Sequence, residues 1–286
     1  MMSKPIKRRK MLKPDQRARI WAHDIKMSAL AMTGGGITRT LAGLPKRRIE
    51  RAEIDRWLAD PGIAADYSAL HDRAEAVARG ERPKSARQVD CFVLYAIARG
   101  LEARRALEIG THLGHSTLYL AAGLGGADAE GEGSGHLDTV DIVDVNDEGA
   151  RHYARFGAAM SARTRLDRLG LAQRVHFHVG QSDRHLAAGS SRYDLIFIDG
   201  DHSETGAYFD MVGALARLAD GGLIILHDYD NPDRPTPGID AGQYGVHWAV
   251  TRLAAYCPGI GVLVLGSVTP PGAASPEPTS LAILTR

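Results

Sequence analysis

The chain is poor in several features that would have fixed its class at once. It has two cysteines in 286 residues, Cys91 and Cys257, far apart and outside any Cys-x-x-Cys pair. That excludes a disulfide scaffold and a zinc ribbon, and makes a reducing cytoplasm the expected location. No apolar run approaches the roughly 18 residues of a membrane-spanning helix. The N-terminal charges are not followed by the apolar stretch of a secretory signal, so neither membrane nor export is expected. Aromatics make up 6% of the residues and show no clustering with basic side chains. The formal net charge is +1, too small to define a partner. Two nucleotide-loop signatures are also missing. Gly34, Gly35 and Gly36 follow no strand and precede no Gly-Lys-Ser/Thr, so a triphosphate loop is not supported. No G-x-G-x-x-G run opens a helix either, which counts against a dehydrogenase.

What is present is a regular alternation of short apolar runs and amphipathic segments. Residues 1–48 carry a basic arm: Lys7, Arg8, Arg9, Lys10, Lys13 and Arg17 face only Asp15. Such an arm suits an untethered terminus better than a nucleic-acid tether. Helical patterning covers 49–84, interrupted at Pro61-Gly62 and closed by Pro83. Ser85 is a suitable N-cap for a helix that Gly100 ends, with Cys91 as a packed thiol inside it. Strands are predicted at Ala106–Ile109, Leu137–Val143, Val175–Val179, Tyr193–Ile198 and Leu223–Leu226. Helices are predicted over Asp147–Leu169, across Tyr208–Leu218 up to Gly221-Gly222, and over Val246–Tyr256. Two apolar runs, Gly261–Val268 and Leu281–Leu284, form a terminal pair with one strand antiparallel to the rest. The tracts Gly123–Gly135 and Asp230–Tyr244 read as loops. The predicted fold class is α/β: a Rossmann-like, doubly wound, mostly parallel sheet over 85–286 behind an N-terminal helical extension.

The chemistry gathers at the strand ends. The first strand runs into Glu108-x-Gly110-x-x-x-Gly114-x-Ser116. The glycines let a ligand approach the backbone, and the amides of the following helix favour negative charge. Glu108 would repel a pyrophosphate and suits a ligand with an ammonium group, such as S-adenosylmethionine. Asp141, with Asp144 as the alternative, stands where an acid bonds ribose hydroxyls. Gln181 and Ser182, after the third strand, are placed to read an adenine edge. The fourth and fifth strands run into Asp199-Gly-Asp-His202 and His227-Asp228-Tyr229. Carboxylates converging there repel unless they share a proton or a cation. An oxygen-rich set suits magnesium, manganese or calcium. Such a cation lowers the pKa of a substrate hydroxyl, and His202 or His227 could take its proton.

On these motifs the segment from Ser85 onward resembles the class I S-adenosylmethionine-dependent methyltransferases. The Glu108–Ser116 pattern is similar to that of catechol-type and caffeoyl-coenzyme-A-type O-methyltransferases. Phe197–Ser203 with Gly221–Asp228 looks nearer to macrolide-sugar O-methyltransferases. The resemblance implies that Glu108, Gly110 and Ser116 line the methionine end of the donor and Asp141 holds its ribose, with Thr111 and Gly114 of the same turn as further donor-binding candidates. It also implies that Asp199 and Asp228 bind a divalent metal, usually magnesium, with His202 as general base. Where that family often has Asn or Asp after the second aspartate, this chain has Tyr229, and His227 precedes the pair as a further ligand candidate. The implied reaction is O-methylation of a small hydroxylated acceptor by a homo-oligomer. The competing readings are an RNA-directed methyltransferase tethered by the basic arm, and a non-catalytic nucleotide binder. A nucleic-acid partner is the less favoured.

Overall fold

A computed structural model of the chain describes residues 49–78, 87–125, 135–233, 244–257 and 259–285. The basic arm, Gly34–Gly36, Pro83, Ser85, the middle of the Gly123–Gly135 tract and most of Asp230–Tyr244 lie outside the described residues.

The chain begins with helices α1 (Arg51–Leu58), α2 (Pro61–Ala78) and α3 (Gln88–Gly100). An α/β alternation follows: β1 (Arg105–Ile109), α4 (His115–Gly123), β2 (His136–Asp141), α5 (Ala162–Arg168), β3 (Val175–Val179), α6 (Ser182–Ala188), β4 (Tyr193–Ile198), α7 (Glu204–Arg217) and β5 (Leu218–Leu226). Helix α8 (Gly245–Tyr256) and strands β6 (Gly261–Val264), β7 (Ser267–Val268), β8 (Glu277–Pro278) and β9 (Ala282–Thr285) complete it. The main sheet has the order β3-β2-β1-β4-β5-β9-β6. Strands β1 to β5 pair in parallel, whereas β9 runs antiparallel to both β5 and β6. The one antiparallel strand near the C-terminus is therefore present.

Burial follows from composition. Leu195, Ile196, Phe197 and Ile198 on β4, and Leu223 to Leu226 on β5, are all buried. A strand covered on both faces needs such an unbroken apolar run. Helices α1 and α2 contribute Ile54, Tyr67, Leu70 and Ala74 to the same core cluster as Phe92, Leu120, Leu137 and Phe197. Tyr67 packs its ring 5.0 Å from Phe92 and 5.3 Å from Tyr119. Ser161 and Ser203 cap α5 and α7, accepting the backbone N–H of Thr164 and Gly206. Cys91 and Cys257 are both buried free thiols, and burial pushes the Cys91 thiol well above its usual range. Among the described residues, no helix is long and apolar enough to cross a membrane.

Four boundaries differ from those predicted. Strand β2 ends at Asp141, leaving Ile142 and Val143 exposed. The single helix predicted over Asp147–Leu169 is a 3-10 turn at His152–Phe156 followed by α5, because Arg151 (φ 45°) and Gly157 (φ 83°) take left-handed backbone. Gly221-Gly222 does not stop a helix but lies within β5. The β4–β5 register shifts between Tyr193 and Leu195, and a Cβ on Gly222 would meet the Asp194 carbonyl oxygen at 2.9 Å. The run Gly261–Val268 divides into β6 and the short β7, parted by Gly266 (φ 69°).

Candidate active site

The chain leaves β1 to build β2 and β3 on one side and returns to build β4 and β5 on the other. The carboxyl ends of β1 and β4 therefore lie side by side at the switch point, where such sheets bind ligands. The Gly110 N–H bonds the Val140 carbonyl at 2.8 Å, and the Asp199 N–H bonds the Ile109 carbonyl at 2.8 Å. Gly110 (φ 99°), His112 (φ 47°) and Gly114 (φ 72°) carry the turn through left-handed backbone. A Cβ on Gly114 would lie 2.6 Å from the Ala162 Cβ, so this turn packs as closely as it bends.

Glu108 sits behind the turn, completely buried. Ser116 donates to its Oε1 at 2.6 Å, and Thr117 and Thr139 donate to its Oε2 at 2.6 Å each. The Thr111 and Thr139 hydroxyls are 2.6 Å apart, which joins Thr111 to the same network. Burial pushes the Glu108 carboxyl up to about 7, against the pull of the three hydroxyls. Asp141, half-buried at the end of β2, accepts the N–H of His112 and of Val143, one on each oxygen, at 2.9 Å. Ile142 beside it is 71% exposed. Asp144 lies further out and is exposed. After β3, Gln181 is exposed and Ser182 donates to Asp210 at 2.5 Å. Burial raises the Asp210 carboxyl to about 6.

Past β4 and β5, two carboxylates and two imidazoles alternate in a closed ring. His202 Nε2 lies 3.0 Å from Asp199 Oδ1, and its Nδ1 lies 2.9 Å from Asp228 Oδ2. His227 Nδ1 lies 3.0 Å from Asp199 Oδ1 and 3.2 Å from Asp228 Oδ1. Asp228 takes a left-handed φ of 52°, which turns its carboxylate back toward the histidines. The paired carboxylates hold the His202 imidazole up at about 10. Burial works against a charge on His227, but Asp199 and Asp228 outweigh it and raise it well above the usual range. Burial likewise opposes the charge on both acids, and the imidazoles outweigh it, leaving Asp199 and Asp228 lowered.

Behind the ring is Asp90, on α3, a residue that sequence patterning passes over as part of an apolar helix. It is buried, accepts from Thr279 Oγ1 and from Arg87 Nε at 3.2 Å, and lies 3.7 Å from His227 Nε2. Thr279 stands 189 residues from it in the chain. The only local signal was one acid inside the otherwise apolar run Val89–Ile97. His112 and Ile142 were likewise missed, although each adjoins a residue already singled out.

The topology and this strand-end site define the class I methyltransferase architecture. Residues 107–229 match the family described as "Methyltransferase domain". The chain is 32% identical over 180 residues to "Catechol O-methyltransferase" of Mycobacterium tuberculosis (strain ATCC 25618 / H37Rv), covering 62% of this chain and 70% of that protein. Two solved structures share the fold. An O-methyltransferase from Bacillus cereus in complex with SAH has a TM-score of 0.50 at 20% identity, covering 78% of this chain and 91% of that one. The O-methyltransferase TomG from Streptomyces achromogenes, involved in tomaymycin synthesis and in complex with SAM, has a TM-score of 0.50 at 22% identity, covering 81% and 97%. The chain belongs to the class I S-adenosylmethionine-dependent O-methyltransferases.

Proposed function

We propose that this methyltransferase acts on a small hydroxylated molecule, with a divalent cation at the ring formed by Asp199, His202, His227 and Asp228. The ring itself carries the reading, because it lies beside the Gly110 turn that would hold the donor. Its donor atoms fit a cation. His227 Nδ1 is buried and near two carboxylate oxygens, yet aligned for a hydrogen bond with neither. That atom lies 3.0 Å from Asp199 Oδ1 and 3.2 Å from Asp228 Oδ1, which brings the three groups to one point.

Asp199, Asp228 and His227 would be the ligands. Two carboxylates alone suit magnesium, and the imidazole extends the set to manganese or another first-row ion. A divalent cation held there would lower the pKa of the acceptor hydroxyl and offset the carboxylate charge that keeps His202 protonated.

The chain's own groups do the positioning. Gly110, Thr111 and Gly114 present the turn to the methionine end of the donor. Glu108 acts on the donor's positive charge from behind the turn, because Ser116, Thr117 and Thr139 occupy both of its oxygens. Each Asp141 oxygen holds one amide and keeps a lone pair for a ribose hydroxyl. Ile142 offers the adenine an apolar cover, with Gln181 and Ser182 at its polar edge. His202, neutral, would accept the hydroxyl proton. Because methyl transfer is an in-line displacement, alignment of oxygen, carbon and sulfur supplies most of the acceleration.

Methyl transfer from labelled donor to a panel of small phenols, sugars and vicinal diols, with and without EDTA, tests this reading. We expect product only with small hydroxylated acceptors, lost in EDTA and restored by manganese or magnesium. Turnover indifferent to EDTA would remove the cation, and methylation of RNA in place of small acceptors would remove the acceptor class.

A further inference from the structure

A second cluster of ligating side chains lies away from the donor and acceptor sites, on one face of β2 and β3. His136 and Asp138 are two residues apart on β2 and so share a face. His176 on the edge strand β3 stands directly opposite Asp138 in the parallel register, and His178 follows on the same face. Three imidazole nitrogens converge on one oxygen, Asp138 Oδ1: His178 Nε2 at 3.0 Å, His136 Nε2 at 3.4 Å and His176 Nδ1 at 3.7 Å.

We propose that His136, Asp138 and His176 form a second metal site, selective for an imidazole-preferring divalent ion of the zinc class. Three observations carry this. The ligand atoms of His136, Asp138 and His176 all lie within 4.8 Å of one another. His136 Nε2, 3.4 Å from Asp138 Oδ1, falls within the ligand–ligand edge of about 3.3–3.6 Å that tetrahedral bonds of roughly 2.0–2.2 Å require, and His176 Nδ1 at 3.7 Å stands just outside it. Second, His178 Nε2 is hydrogen-bonded to Asp138 Oδ1 at 3.0 Å, but the other two imidazoles are not tied to the carboxylate in this way. His136 Nε2 is buried with no aligned partner, and His176 Nδ1 is beyond hydrogen-bond reach of the carboxylate. Third, the carboxylate is held in place from outside. The Tyr193 hydroxyl donates to Asp138 Oδ2 at 2.9 Å, the kind of outer contact that orients a ligating carboxylate.

The side chain of His176 is 67% exposed on the sheet edge, so an ion can enter from solution. Two imidazoles with one carboxylate suit zinc, nickel or copper, and suit magnesium or calcium poorly. The site lies at the amino end of β2, whereas Asp141 closes the other end, so an ion here would be structural and not part of methyl transfer.

Cobalt(II) and zinc titration of tag-free, full-length protein tests the site, read by cobalt d–d absorption and by calorimetry. The double variant Asp199→Ala/His227→Ala isolates it from the proposed acceptor-side cation. We expect this variant to bind one equivalent of cobalt with tetrahedral absorption, displaced by zinc. Adding His176→Ala should weaken that binding at least tenfold, and His136→Gln should do the same. His176→Ala alone should leave methyl transfer unchanged. His176 is exposed, so its loss leaves the fold intact for the comparison. The proposal fails if Asp199→Ala/His227→Ala binds no cobalt, or if its binding is indifferent to His136 and His176.

Discussion

Gly110 and Asp199 meet backbone to backbone: a Cβ on Gly110 would lie 2.2 Å from the Asp199 carbonyl oxygen. The Gly110 turn and the acid–histidine ring are thus joined at one contact, flanked by the hydrogen bonds that tie β1 to β2 and β4. Gly110→Ala adds that clash to a backbone of φ 99°, where side chains are strained. We expect a loss of about 2–4 kcal/mol in denaturant unfolding. S-adenosylhomocysteine binding should weaken in the protein that remains folded. Wild-type stability and affinity in this variant would show the contact to be relaxed.

Asp199 and Asp228 each touch both histidines, but Asp199 does so through the single atom Oδ1. Asp199→Ala should reduce methyl transfer by about a hundredfold or more, the scale of losing one preorganised electrostatic partner. It should also abolish the response to EDTA and added manganese. Initial rates across a metal titration check both. A variant that responds to metal as the wild type does would remove Asp199 from the cation site.

The Asp141 prediction isolates the donor. With His112 and Val143 amides already in place, Asp141→Ala removes the charged acceptor proposed for the ribose and frees two backbone donors. Loss of a hydrogen bond to a charged group costs about 1.5–3 kcal/mol, or roughly 10- to 150-fold in Kd for S-adenosylhomocysteine by calorimetry. The acceptor KM should move much less. An unchanged donor Kd would return the ribose role to Asp144 or to the backbone.

Much of this architecture was legible in the sequence for a specific reason. A strand buried on both faces must be uniformly apolar, so Leu195–Ile198 stops visibly at Asp199, and Leu223–Leu226 at His227. The acid–histidine ring could be anticipated because both halves follow such runs. Glycines misled where they served packing. Gly221-Gly222 reads as a helix stop, but it lets two strands approach at a bulge. Enclosure was invisible too. Nothing local says that Thr117 and Thr139 will close over Glu108, or that Asp90 will meet Thr279 and His227, because those contacts exist only once the sheet is assembled. The histidines of β2 and β3 look like ordinary alternation until register sets His176 opposite Asp138.

Asp90 supports the ring from behind. Asp90→Ala would leave Thr279 and His227 facing a cavity and Arg87 without its carboxylate. Breaking a buried charged contact of this kind costs about 3–5 kcal/mol. Asp90→Asn keeps the shape and an acceptor oxygen for Thr279, and should recover much of that loss. Denaturant unfolding of the two variants side by side checks the order. Equal loss in both would mean that charge, not the Thr279 contact, supplies the stability.

Burial of Glu108 is expected to give the protein a pH dependence of definite sign. Its carboxyl stands at about 7 in the fold, raised by burial above the 4.5 of an unburied glutamate. The folded state therefore binds this proton more tightly than the unfolded state. Any stability linked to it is complete below about pH 4 and is lost as pH rises toward 7, after which it stays flat. A shift of this size corresponds to about 3 kcal/mol between the two ends of that window. Asp210 titrates in the same range, so the measurement must be a difference. Glu108→Gln keeps the shape and removes the titration, and unfolding free energies of both proteins are taken from pH 4 to 8. Relative to the variant, the wild type should lose stability steadily between about pH 4.5 and 7. A flat difference, or one that grows in favour of the wild type with pH, would mean that the three hydroxyls hold Glu108 ionised. In that case its charge would reach the donor even in mildly acidic solution.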